Sequence, residues 1–189
     1  MKEVTVEKKF LPADYIRPDR KKQFLKFKEG STRFRILTAA LLGWVLFDKD
    51  GKPHRKAFQD PFTEEEVSEL KPKKNDDGTD QMPKHFWAFG VWDYGTASPK
   101  VLEVTQTSIM TGMEGYLEDE EDFGSDPTQY DFIVDREGST KENTSYSVRV
   151  KPKKALQKAV LDIVNQEMPK ADIPAMLTGE YPFKEYTFD

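Results

Sequence analysis

The sequence predicts a mainly β fold with accessory helices, in the form of a small barrel of five to six strands. Three observations indicate this fold. Short runs rich in β-branched and aromatic residues are separated by Gly, Pro and Asp signals. Only two longer segments show a helical spacing of apolar residues. Thirteen Phe, seven Tyr and three Trp among 189 residues argue against wholesale disorder, because disordered chains are poor in aromatics.

The first third of the chain predicts an extended arm followed by a β-hairpin. Residues 1–24 carry alternating charge and scattered aromatics, so we expect them to form an arm. A β-rich segment runs from Arg33 to Phe47. Asp50-Gly51 is a strong turn signal, and residues 52–58 then return as the next strand.

The middle of the chain combines a short helix, a long loop and two strands. Thr63 and Glu66 have the spacing of a capping box, which predicts the start of the helix. Residues 71–84 are polar and punctuated by Pro and Gly, as is typical of a loop. The aromatic run 84–94 and the alternating run 100–106 predict two strands.

The last third begins with a helix and a second hairpin. Apolar residues at helical spacing predict a helix over 109–117, and an acidic loop follows at 118–126. Residues 130–137 and 144–150 predict a second hairpin with a polar connection. An amphipathic helix is then expected over 153–168, where Pro169 ends it.

This order of elements matches the oligonucleotide/oligosaccharide-binding (OB) fold, with a helix between the third and fourth long strands. A β-sandwich is the alternative, although sandwiches seldom insert a helix at that point. We expect an arm over residues 1–24, a single OB-fold domain over 25–168 and a carboxy-terminal tail over 169–189.

The charge is distributed unevenly along the chain. The formal net charge is -5, yet residues 1–56 hold 15 basic and 7 acidic side chains. The remaining residues hold 14 basic and 27 acidic side chains. Because phosphate contact needs only a local positive surface, this basic half is compatible with a nucleic-acid partner. A mixed surface charge without a polyanionic partner is the alternative.

Patterns for catalysis and metal binding are weak. There is no Cys, and His54 and His85 are the only histidines. The only zinc site that these residues allow is one formed by both histidines and completed by carboxylates. No phosphate-binding glycine loop and no nucleophile elbow occur. The acidic run 118–122 lacks the ligand spacing of a calcium loop. We therefore expect no enzymatic activity, no metal and no cofactor, and without a run of roughly 20 apolar residues we expect no membrane span.

Aromatic residues occupy both faces of the predicted strand 84–94. Alternation places Trp87 and Phe89 on one face, and Phe86, Trp92 and Tyr94 on the other. A surface that stacks unpaired bases would have this composition. Burial of both sets, between the sheet and a covering helix, is the alternative.

Cations and aromatics recur together on consecutive predicted strands. Lys and Arg neutralise phosphates, and each base stacked on an aromatic ring is worth roughly 1–3 kcal/mol. The candidates for phosphate contact are Arg33, Arg35, Arg55, Lys56, Lys84, Arg149 and Lys151. The candidates for base stacking are Trp44, Phe86, Trp92, Tyr94 and Tyr146. The alternative for the cations, such as Arg33 and Arg35, is that they are ordinary solvated strand residues. The alternative for Trp44 is a position in the core.

A family resemblance is carried by the order of eight segments. They are 24-FLKFKEGSTRFRIL-37, Gly43-Trp44, 52-KPHRK-56, 85-HFWAFGVWDY-94, 100-KVLEVTQTSI-109, 130-YDFIV-134, Arg136-Glu137-Gly138 and 146-YSVRVKPKKAL-156. In this order, the chain resembles bacteriophage single-stranded DNA-binding proteins, the helix-destabilising replication proteins of the gene-32 type. The resemblance spans roughly residues 20–160.

The resemblance implies an OB-fold protein that coats single-stranded DNA during phage replication, recombination and repair, in the cytoplasm of the infected bacterium. It also implies an aromatic, acidic tail that recruits replisome proteins such as a polymerase or helicase and competes with DNA for the basic groove. The tail candidates are Tyr181, Phe183, Tyr186 and Phe188. This chain lacks the Cys/His zinc module of some members, and its tail is only mildly acidic. The alternative function is a phage protein–protein adaptor built on the same barrel, with its exposed aromatics as interface anchors.

Overall fold

The computed structural model describes residues 23–119, 121–124, 126–140 and 143–183. Within them lies one antiparallel sheet of seven strands. The strands are β1 Gly30–Ile36, β2 Leu41–Phe47, β3 Pro53–Ala57, β4 Lys84–Asp93, β5 Ser98–Val104, β6 Asp131–Glu137 and β7 Ser145–Val150. The α-helices are α1 Glu64–Leu70, α2 Thr107–Leu117 and α3 Lys158–Glu167, with 3-10 helices at Pro127–Gln129, Met168–Lys170 and Ile173–Thr178.

The sheet is centred on the long strand β4. The strands follow the order β3-β2-β4-β1-β6-β7, and β5 also pairs with β4. Across the described residues no ladder closes this sheet into a barrel. The prediction of a mainly β fold is confirmed, but the sheet is open and has seven strands instead of five or six.

The additional strand arises where the segment from Arg33 to Phe47 divides. β1 pairs with the end of β4 and β2 with its beginning. Between them, the Thr38 hydroxyl accepts the Gly90 N–H at 2.8 Å, and the Leu37 N–H donates to the Gly90 carbonyl at 2.8 Å. Because a side chain satisfies this backbone donor, the ladder is interrupted at residues 37–40.

Two local signals in the sequence act as expected, whereas the start of α3 differs. The capping box of α1 is confirmed: Thr63 Oγ1 accepts the Glu66 N–H at 3.2 Å, and Glu66 Oε2 accepts the Thr63 N–H at 2.8 Å. Gly51 adopts a φ of 78° in the β2–β3 turn, in the region that glycine favours. α3 begins at Lys158 instead of residue 153, after an extended segment in which the Lys154 N–H donates to the Gln129 carbonyl.

Two apolar clusters lie on opposite faces of the sheet. The first lies beneath α2 and includes Phe34, Val91, Leu102, Met113 and Phe132. The second lies beneath the 3-10 helix Ile173–Thr178 and includes Val45, Phe86, Ala88, Val101 and Met176. Burying each large apolar side chain contributes roughly 1.5–3 kcal/mol before entropy is considered. Both faces of the sheet therefore have a core, and the exposed surfaces lie beside these cores.

Part of the expected tail is folded onto the second cluster, which corrects the prediction for residues 169–183. Phe183 forms an antiparallel bridge with Ala171 and packs against the cluster. The Gln23 amide donates to the Phe183 carbonyl at 3.2 Å and accepts the Phe183 N–H at 3.3 Å. Tyr181 packs edge-on against Phe24, with 40% of its surface exposed. Residues 1–22, Tyr186 and Phe188 lie outside the described residues.

Candidate nucleic-acid interface

Six of the predicted DNA-binding residues meet on one face of β4, β1, β6 and β7, which we call the arginine face. The register places them in two neighbouring rows across the strands. One row is Trp92, Arg35, Asp131 and Lys151. The other row is Tyr94, Arg33, Ile133 and Arg149. Alternation along each strand brings both rows to the same side of the sheet.

Asp131 organises the centre of the arginine face. Its buried carboxylate accepts hydrogen bonds from Arg33 Nε at 2.8 Å, Arg35 Nε at 2.5 Å and the Tyr94 hydroxyl at 2.9 Å. Burial acts to raise the pKa of Asp131, but these hydrogen bonds outweigh it and hold the pKa below its ordinary value. The carboxylate is therefore charged at neutral pH and fixes both guanidinium groups.

In the first row, Trp92, Arg35 and Asp131 are buried, and only Lys151 at its end is exposed. Arg35 and Trp92 are each only 2% exposed, and Arg35 Nη1 also donates to the carbonyls of Thr128 and Lys154 at 3.0 Å. This corrects their assignment as DNA-binding residues, because neither side chain reaches solvent. In the second row, the Arg33 side chain is 38% exposed, and its guanidinium carbon lies 4.1 Å from the centre of the Tyr94 ring. A cation and a ring are thus stacked at the surface.

Arg149 is an exposed cation of the face. Its side chain is 56% exposed and forms an ion pair with Asp135, in which Nη2 donates at 3.0 Å. Hydrogen bonds from Arg149 and Ser31 lower the pKa of Asp135 to about 2. Exposed ion pairs of this kind contribute only about 0–1 kcal/mol. A phosphate group can therefore replace Asp135 as the partner of Arg149 at little cost.

The chain beyond β7 extends the positive surface. Lys151 lies opposite Asp131, because its N–H donates to the Asp131 carbonyl at 2.9 Å. Lys151 and Lys154 are exposed, and within the described ranges neither forms an ion pair with a carboxylate. An open cleft of about 580 Å³ lies between this segment and α3, lined by Lys153, Lys154 and aliphatic side chains. Four accessible groups, Arg33, Tyr94, Arg149 and Lys151, form the candidate interface.

The remaining predicted residues lie elsewhere. Phe86 is completely buried in the second cluster, which corrects its assignment to base stacking. Tyr146 packs against Phe27 beside the first cluster. Lys84 is exposed at the start of β4, away from the arginine face.

Two of the residues predicted to bind phosphate, Arg55 and Lys56, instead form ion pairs with carboxylates of the protein. Arg55 pairs with Glu103 at 2.8 Å, and both side chains are less than 15% exposed, at 11% and 14%. Lys56 Nζ contacts Glu66 at 2.8 Å and Asp60 at 3.1 Å. Arg55 is therefore a structural residue here, and Lys56 is neutralised locally.

A second exposed surface, the aromatic patch, consists of Leu42, Trp44, Phe58 and His85. The Trp44 and Phe58 rings are stacked, with centroids 6.0 Å apart and planes 9° apart. His85 lies 5.4 Å from Trp44 and 5.2 Å from Phe58, measured between ring centroids. Of these four residues, only Trp44 is predicted from the sequence to bind DNA. Phe58 lies beyond the end of β3, and no local pattern indicates that its ring folds back over Trp44.

No protein-family model, no curated protein and no solved structure matches this chain. Among the described residues, no group of three or more His, Cys, Asp or Glu side chains is placed to hold a metal ion. The helices of that same part of the chain are all too short or too polar to cross a membrane. A functional proposal for the chain is therefore based on the geometry of the arginine face and the aromatic patch.

Proposed function

We propose that the chain binds single-stranded DNA with the arginine face. The observation that carries this proposal is the surface row of Tyr94, Arg33 and Arg149, with Lys151 beside it. Arg149 and Lys151 are placed to neutralise phosphates. The stacked pair of Arg33 and Tyr94 offers a flat cationic surface to one base, since both rings and guanidinium planes stack on bases.

The geometry favours a single strand over a duplex. Tyr94 and Arg149 are separated by three strand spacings, about 14 Å. A DNA strand that lies across β1 and β6 reaches the stacking pair at one end. It reaches the phosphate-binding cations Arg149 and Lys151 at the other end. The flat faces of bases are open to such a stacking group only when they are unpaired. Contacts of this kind carry little sequence information, so the strand is coated without sequence preference.

The biological setting follows from the resemblance to phage single-stranded DNA-binding proteins. We propose that the chain coats and protects DNA during phage replication, recombination and repair, in the cytoplasm of the infected host. The open sheet, with α2 between β5 and β6, is compatible with a distorted barrel of the OB type. Recruitment of a polymerase or helicase by the tail stays a prediction for Tyr186 and Phe188. Phe183 is less suited to that role, because it packs against the sheet.

The salt dependence of DNA affinity tests the proposal. Fluorescence anisotropy with a labelled oligo-dT gives the affinity over a series of salt concentrations. Arg149→Ala removes one phosphate contact, so it should weaken binding and flatten the log-log salt slope by about 0.7. Lys52→Ala is the matched control, since it removes one exposed positive charge at the β2–β3 turn. Equal slopes for the two variants would remove Arg149 from the interface.

A further inference from the structure

The aromatic patch is a preformed apolar surface. Phe58 is 45% exposed and Leu42 is 41% exposed, although both flank a regular ladder. Trp44 Nε1 donates to the Phe58 carbonyl at 3.1 Å, which fixes the indole ring against the phenyl ring. A ligand that covers these side chains would find them already in place, so little conformational entropy is lost on binding.

His85 adds only its ring face to the patch. Trp87 Nε1 can only donate, and it donates to His85 Nε2 at 3.1 Å. His85 Nδ1 therefore carries the proton and donates to the Gly43 carbonyl at 2.9 Å. Because both nitrogens are used inside the protein, the histidine is not available as a metal ligand or as a hydrogen-bonding group for a ligand. The patch is thus a surface for apolar contact.

The rim of the patch is acidic. Lys56 lies directly opposite Trp44 in the β2–β3 ladder, but its ammonium group is shared by Glu66 and Asp60. Glu64 and Glu65 are exposed in the same first turn of α1. A phosphate backbone would be repelled here, and Lys or Arg side chains would be attracted.

We propose that the aromatic patch binds a cationic peptide segment of a partner protein. An aliphatic or aromatic anchor of that segment covers Leu42 and Phe58, and its Lys or Arg side chains point towards Asp60 and Glu65. Alternation places the patch and the arginine face on opposite faces of the sheet. The partner and single-stranded DNA can therefore be bound at the same time.

An array of synthetic 12-residue peptides tests this proposal with the full-length protein. Each peptide has a central pair of apolar residues between runs of Lys and Arg. Matched arrays replace the apolar pair with Ser-Gly, or the basic runs with Glu. Only the cationic peptides with an apolar pair should bind. Phe58→Ser should weaken that binding about tenfold, as expected for an anchor residue, and Glu65→Lys about fivefold, as expected for a rim charge.

Variants separate this proposal from the DNA-binding proposal. Phe58→Ser should leave oligo-dT affinity unchanged, and Arg149→Ala should leave peptide affinity unchanged. Circular dichroism should show a native spectrum for Phe58→Ser, with melting lowered by only a few degrees, since the side chain is 45% exposed and its main contact is the stack on Trp44. Equal binding of the acidic peptides, no binding of any peptide, or peptide affinity that survives Phe58→Ser would overturn the proposal. If Phe58→Ser instead weakens oligo-dT binding, the patch is a nucleic-acid surface and the proposal is wrong.

Discussion

Asp131→Asn should destabilise the protein markedly, because Asp131 holds the arginine face together. Its carboxylate is the acceptor for Arg33, Arg35 and Tyr94, and the Arg35 side chain is only 3% exposed. Asn has the same shape and keeps one acceptor oxygen, but it carries no charge. The change therefore leaves the positive charge of Arg35 buried without a counter-ion.

The magnitude follows from the burial of the pair. Breaking a buried ion pair typically costs 3–5 kcal/mol. Asn retains some hydrogen bonding, so we expect about 3 kcal/mol of lost unfolding free energy. For a chain of this size, about 2–4 °C of melting temperature is lost per kcal/mol, which gives a drop of about 6–12 °C. Asp135→Asn is the matched control. Its partner Arg149 is mostly exposed, so a loss of about 0–1 kcal/mol is expected.

Thermal and urea unfolding, followed by circular dichroism, measure both variants. The pH dependence adds a second check, because the pKa of Asp131 is lower in the folded protein than in the unfolded chain. Its stabilisation is fully present above the unfolded value of about 3.9 and is lost as the pH falls further. The difference between wild type and Asp131→Asn should therefore shrink in acid. Melting of Asp131→Asn within about 2 °C of wild type at neutral pH would refute this reasoning.

Two further predictions concern the core and the exposed ion pair. Gly43→Ala should destabilise by about 1–3 kcal/mol in thermal melts, because a Cβ there would lie 2.4 Å from the Lys56 carbonyl and 2.6 Å from the Phe86 ring. Gly115→Ala, in open space on α2, should not destabilise, and equal melting of both variants would contradict the packing. An NMR titration should give a pKa of about 2 for Asp135 in the wild type and a value that returns towards 3.8 in Arg149→Ala. The stability from this pair should be present above about pH 4 and lost as the pH falls through 2, and an unshifted pKa would disprove the pairing.

Local signals made much of the fold predictable, and tertiary contacts account for the differences. The capping box at Thr63 and the turn at Gly51 depend on neighbouring residues, so the sequence contains them in full. The break between β1 and β2 depends on a hydrogen bond between Thr38 and Gly90, which are far apart in the chain. The docking of Phe183 likewise depends on Gln23, 160 positions earlier. Neither contact leaves a pattern in its own segment.

The candidate site was predictable to the extent that strand alternation determines it. Alternation places Arg33 with Arg35, and Trp92 with Tyr94, on shared faces. It does not reveal which part of a face is covered, so the buried Trp92 and the partly exposed Tyr94 look alike in the sequence. The role of Asp131 depends on the register between β1 and β6, which joins residues about a hundred positions apart. The sequence alone therefore does not predict an acidic residue at the centre of a cationic surface.

Photo-cross-linking to single-stranded DNA tests the central claim most directly. An oligo-dT containing 5-bromodeoxyuridine is irradiated with the protein, and the cross-linked peptide is identified by mass spectrometry. Tyr94 and Trp44 are both accessible aromatics, and they lie on opposite faces of the sheet. We expect the cross-link at Tyr94 or within residues 145–154. A cross-link at Trp44 or Phe58, with none at Tyr94, would contradict the assignment of DNA binding to the arginine face.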